Sequence, residues 1–159
     1  MENNNKMVMT ITRIFNAPRE LVWKAFTEPE HFKKWFGPKN FTCPFCKIDL
    51  KVGGSYLSCM RSPEGQEFWI TGEFREIIPL KRLVYTDNFA DENGNVVPAS
   101  QYGMPGNWSE ELIVTIIFEE VEGKTKMTLI HTGLPEGEIS EQTTTGWNEM
   151  FDKLVDFLK

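Results

Sequence analysis

The sequence predicts an α+β domain built on an antiparallel sheet. Three observations point there: a succession of period-two segments through the middle of the chain, helical spacing right after the first of them, and one long amphipathic stripe at the C-terminal end. The chain has 159 residues, the usual size of one domain. A single domain is therefore expected over 7–159, behind a polar tail, 1–6, read as disordered.

The stretch 7–15 (MVMTITRIF) is β-branched and alternating, which reads as a strand. Asn16 can then cap a helix, Pro18 suits an early helical position and Glu20 the first turn. Leu21, Val22, Ala25 and Phe26 follow at helical spacing. Glu28-Pro29 interrupts the pattern, and a second short helix carries Phe32, Trp35 and Phe36 as far as Gly37-Pro38. From Phe41 the period changes to two, with further strands expected over 41–50, 56–61, 67–77, 82–88, 111–119 and 125–132, about six or seven in all. Tight turns are expected at Val52-Gly53-Gly54-Ser55, Ser62-Pro63-Glu64-Gly65 and Glu122-Gly123-Lys124. The last element is a helix over 139–159, with Thr143, Trp147, Met150, Phe151, Leu154 and Leu158 on one stripe and Glu149, Asp152, Lys153 and Asp156 off it.

The formal net charge is −6, with Lys and Arg scattered rather than clustered. Nucleic acid and anionic membrane surfaces need concentrated positive charge, so neither is an expected partner. No apolar run approaches the ~20 residues of a membrane span. The N-terminus lacks an apolar signal core and the three cysteines are an odd number, so a reducing, cytoplasmic location is expected. Aromatic residues reach 13%, including twelve Phe and five Trp, which suggests an interior lined with rings.

Within the expected strand 125–132, alternation sets Met127, Leu129 and His131 on the inner face, opposite Lys126 and Thr128. An inward His can orient a polar ligand group or act in acid–base chemistry; the plainer alternative is a hydrogen-bonded wall residue. His31, beside Glu30 and Lys33, is expected in solvent. Cys43-Pro44-Phe45-Cys46 spells a CxxC, but on a regular strand its two side chains point to opposite faces with Cα atoms roughly 10 Å apart, which argues against redox or metal chemistry. Strand alternation and the helix stripe nominate Tyr56, Met60, Phe74, Tyr85, His131, Trp147, Met150 and Phe151 as walls of an apolar cavity. The polar segment 90–107 is long for a compact domain, and its Tyr102, Met104 and the following Trp108 are candidate lid residues. No catalytic triad, phosphate loop or metal signature is legible, so no catalytic residue, cofactor or metal is assigned.

Ala17-Pro18-Arg19-Glu20-Leu21-Val22-Trp23-Lys24-Ala25-Phe26-Thr27 resembles the first-helix motif of the START-like (SRPBCC, Bet v 1-type) superfamily, in the branch named after the activator of heat-shock protein 90 ATPase. Trp35-Phe36-Gly37-Pro38, Val52-Gly53-Gly54, Met60-Arg61-Ser62-Pro63-Glu64-Gly65 and Gly146-Trp147 resemble further blocks of that branch, in order, across nearly the whole chain. The resemblance implies a helix-grip fold, in which the sheet curls round the last helix and leaves a cavity. Superfamily members bind lipids, sterols, hormones or polyketide intermediates, and a few catalyse cyclisation or dehydration. The expected function is binding of a small hydrophobic ligand between sheet and C-terminal helix. The alternatives are a cyclase- or dehydratase-type enzyme pairing His131 with Tyr56 or Tyr85, and a co-chaperone-like protein of the heat-shock protein 90 system with a chaperone partner.

Overall fold

The computed structural model describes residues 6–109 and 111–159. Strand β1 (Lys6–Phe15) leads into helices α1 (Arg19–Thr27) and α2 (Pro29–Phe32). Strands β2 (Thr42–Ile48), β3 (Ser55–Arg61), β4 (Glu67–Ile78), β5 (Arg82–Thr86) and β6 (Asn88–Ala90) follow. After them come β7 (Ile113–Val121), β8 (Lys124–Pro135) and the long helix α3 (Glu138–Phe157). The strands form one curved antiparallel sheet in the order β1-β8-β7-β5-β4-β3-β2, with β6 on the side of β4. The β7–β8 hairpin turns on two residues, Glu122 and Gly123, both with positive φ, the turn whose twist matches a hairpin.

Among the described residues there are eight strands rather than six or seven, because the expected strand 82–88 divides. Phe74 pairs with Tyr85 and Thr71 with Asn88, so one register continues through the break and sets Asp87 opposite Gly72. Here the two backbones approach more closely than any side chain allows: a Cβ on Gly72 would lie 1.8 Å from the Thr86 carbonyl oxygen and 2.6 Å from the Tyr56 ring. The Thr86 hydroxyl meanwhile accepts from the Glu73 N–H at 2.8 Å. Beyond the break, segment 90–107 has structure of its own: Ala90 bridges to Val96, and a 3-10 turn covers Ala99–Tyr102.

Helices and sheet share one core. Val22, Ala25 and Phe26 of α1 are buried, and the buried Trp35 donates its indole N–H to the Ala25 carbonyl at 2.9 Å. The Phe26 ring meets Trp35 and Phe118 at centroid separations of 4.9 and 5.6 Å. Helix α3 buries Trp147, Met150, Phe151 and Leu154, while Thr143 and Leu158 of the expected stripe are half-buried. Two polar ties hold it in place. Arg13 bonds Asp152 at 2.9 Å and the Asn148 carbonyl at 3.0 Å. The Lys153 ammonium reaches the carbonyls of Gly37 and Phe41 at 2.7 and 3.1 Å, fixing the segment between α2 and β2. His31 is half-buried rather than solvated, its ring edge-on to Phe157.

Gly72→Ala is predicted to cost about 2–3 kcal/mol in urea denaturation, because the intruding methyl meets backbone, which cannot move aside as a side chain end would. Tyr56 should shift with it, visible as a change in the near-ultraviolet circular dichroism of the folded variant.

Candidate ligand cavity

Between the sheet and the N-terminal half of α3 lies a cavity of about 410 Å³. Much of its wall comes from alternate residues of the strands, the pattern by which period two nominated five of them. Tyr56, Met60, Phe74, Tyr85 and His131 project into it from β3, β4, β5 and β8, and Trp147 and Met150 from α3. Phe151 lies elsewhere. It is fully buried against Phe15, Phe26 and Trp35, since one helical step past Met150 turns the side chain toward α1 and β1. Gln142 and Thr143 of α3, Pro38, Phe41 and Met104 also line the cavity while keeping contact with solvent, and so mark its mouth.

Of the lid candidates, Met104 and Trp108 line the cavity directly. Tyr102 stands behind the wall: its ring packs on Phe68 and Phe89, and its hydroxyl donates to the Ala90 carbonyl while accepting from the Trp69 N–H at 3.3 Å.

The CxxC departs from its expected geometry. A bulge between Thr42 and Phe45 shifts the register of β2, and Cys43 and Cys46 both pack toward the core. All three cysteines are free thiols. Burial pushes the Cys43 thiol up to about 12 and Cys59 up to about 11. Such thiols hold almost no thiolate at neutral pH and are poor nucleophiles and metal ligands.

A polar cluster sits in this apolar surround, centred on a residue not among the sequence candidates. Asp87 lines the cavity at the interruption between β5 and β6, with 17% of its side chain accessible. Its Oδ1 accepts from the Tyr56 hydroxyl at 3.1 Å, and its Oδ2 is 3.3 Å from Nε2 of His131. On the other side of the imidazole, the Trp147 indole N–H donates to Nδ1 at 3.1 Å. An indole nitrogen can only donate, so Nδ1 carries the lone pair and the ring proton of His131 is assigned to Nε2. Although Asp87 is near, Nε2 has no hydrogen bond, so its N–H does not aim at the carboxyl oxygen.

Burial raises the Asp87 carboxyl above its ordinary range, against the opposing pull of His131 and the Tyr56 hydroxyl. Burial likewise lowers His131, and the neighbouring carboxyl opposes that shift. Tyr56 and Tyr85 are both raised, by burial first and by Asp87 second, so both remain phenols. The sequence did carry a sign of Asp87: Leu83, Tyr85, Asp87 and Phe89 are successive members of one strand face, and the acid is the single charge among them.

Fold and cavity define a class: α+β domains in which a curved antiparallel sheet and a C-terminal helix enclose an apolar chamber. The chain belongs to the family described as Activator of Hsp90 ATPase homolog 1-like protein, which it matches over residues 16–159. It is similar to a solved protein from Chromobacterium violaceum, with a TM-score of 0.76 and 27% identity covering 95% of this chain and 96% of that one. A protein from Nitrosomonas europaea gives a TM-score of 0.75 at 26% identity, covering 96% and 94%. The AHSA1 protein from Silicibacter pomeroyi shares the fold, with a TM-score of 0.74 at 22% identity, covering 94% and 96%. No curated protein matches the sequence. No helix among the described residues is long and apolar enough to cross a membrane.

Two predictions follow from the cluster. With its folded-state value raised, the Asp87 carboxyl holds its proton more tightly in the folded protein than in the unfolded chain. Its contribution to stability is intact below about pH 4 and is lost as pH rises through the folded value. Asp87→Asn removes that loss, so urea denaturation should show the variant gaining on the parent between pH 4 and pH 8. In the second, nitrogen NMR of the parent at pH 7 should find His131 protonated at Nε2 alone. Trp147→Phe should cost about 1–3 kcal/mol by leaving Nδ1 without its donor.

Proposed function

We propose that this protein binds a small, mainly apolar molecule in the chamber between the sheet and α3. The observation that carries the reading is an aromatic-walled cavity of about 410 Å³ with one compact polar cluster on its wall. That volume lies within the ~300–1,000 Å³ of small-molecule sites, which combine apolar walls with a few fixed polar groups. Apolar burial at roughly 25 cal/mol per Å² would supply most of the affinity, and the cluster would set orientation. Met104 and Trp108 would close one wall over the bound molecule.

The same cluster supports a second reading, acid–base chemistry on a bound substrate, with the roles changed from those expected. The Nδ1 lone pair of His131 is taken by Trp147, so the neutral imidazole would polarise a substrate oxygen through its Nε2–H hydrogen bond rather than accept or transfer a proton. Asp87, with its raised carboxyl, would be the base and Tyr56 its hydrogen-bonded neighbour. A chaperone partner would call on the outer surface instead, and capture of heat-shock protein 90 by the immobilised protein would test it.

The neutral fluorophore 1-aminoanthracene is predicted to bind saturably with one site per chain. Met60→Trp, which fills the chamber from β3, should keep the far-ultraviolet circular dichroism of the parent and weaken that binding at least tenfold. Equal binding by parent and variant, or none by the parent, would remove the support for a ligand chamber.

A further inference from the structure

The cluster on the cavity wall specifies which polar group a ligand should bring, an inference that rests on the ligand-chamber reading above. His131 is 3% exposed, its Nε2 has no hydrogen bond, and Trp147 fixes the ring proton at that nitrogen. The wall therefore offers one buried N–H donor without an acceptor. A buried donor left unmade costs about 1–3 kcal/mol, an energy that a suitable acceptor recovers. Next to it stands the Asp87 carboxyl, whose Oδ1 is engaged by the Tyr56 hydroxyl and whose Oδ2 is 3.3 Å from Nε2. A ligand atom that accepts from Nε2 thus also falls beside Oδ2.

The chemistry of that adjacent pair selects among head groups. A carboxylate or phosphate can accept from Nε2 but presents further lone pairs and negative charge to Asp87. An ammonium can donate to Asp87 but leaves the imidazole N–H unmade and opposes it with its own hydrogens. A hydroxyl does both on one oxygen, accepting from Nε2 and donating to Oδ2. It also tolerates either protonation state of the carboxyl, since its O–H can rotate from donating to accepting. The geometry points to a neutral, hydroxyl-bearing apolar molecule, an alcohol or a phenol, as the ligand class of this chamber, with its oxygen between His131 Nε2 and Asp87 Oδ2. The Tyr56 and Trp147 bonds hold the two wall groups in place, so the discrimination is built into the protein before the ligand arrives.

Matched probe sets test this on the unmodified protein. The linear set is 1-nonanol, nonanoate and nonylammonium; the aromatic set is 4-hexylphenol, 4-hexylbenzoate and 4-hexylbenzylammonium. Titration calorimetry at pH 7.5 should give at least tenfold tighter binding for the hydroxyl member of a set than for either ion. In Asp87→Asn the advantage over the carboxylate should shrink severalfold, because the like charge is gone. A carboxylate or ammonium that binds the parent as tightly as its hydroxyl counterpart would overturn the hydroxyl preference while leaving a ligand chamber in place. Failure of all six probes would overturn both.

Discussion

One helix cannot fill the hollow of an eight-stranded sheet, and the interior of this protein is organised by that shortfall. Helix α3 presents Phe151 and Leu154 to one end, where α1 and the Trp35 region bring further rings and close the space completely. Toward its N-terminal half, Trp147 and Met150 face the strands; Phe26 of α1 and Phe32 of α2 reach the edge of that space without filling it, and the hollow stays open. The boundary between packed and empty falls between Met150 and Phe151, adjacent residues about 100° apart on the helix. Because α1 and α2 are aromatic-rich and short, they can seal only the end they reach.

Within the hollow, the polar residues form a chain rather than a scatter. Tyr56 reaches Asp87 across a strand that bears no side chain at Gly72, and Trp147 reaches His131 from the helix. Burying a carboxyl in such a place is costly unless it is neutral or hydrogen-bonded. Both remedies are partly in use here, through the raised carboxyl and the phenol that donates to it. The cluster also joins layers: one bond links sheet to helix, another links β3 to the break between β5 and β6. A change at any of these four residues therefore acts on packing and on the cavity together.

Most of the architecture was legible because it rests on periodicity. Alternation placed Met127, Leu129 and His131 inward, where all three are buried, and the stripe of α3 identified its buried face. Two of the failures share a cause, a local break in a period. A bulge after Thr42 turned Cys43 and Cys46 to the same side, and the interruption at Asp87 made two strands from one. Phe151 was misplaced because a stripe says which residues are buried, not which of two neighbouring volumes receives them. Asp87 lay on the inward face of a recognised strand, but its importance depends on Gly72 across the sheet, a pairing that no single-strand pattern contains.

The Tyr102 hydroxyl, wedged between a carbonyl of β6 and an amide of β4, has a bearing on traffic into the chamber. Swinging the 3-10 turn outward would strand the Trp69 amide and uncover the rings of Phe68 and Phe89 at the same time. On the other side of the opening, Pro38 and Phe41 belong to a segment tied to α3 by Lys153, which holds the carbonyls of Gly37 and Phe41, and by Glu149, which accepts from the Lys39 N–H at 3.1 Å. Both jambs of this doorway are thus pinned, and widening it costs polar bonds on either side.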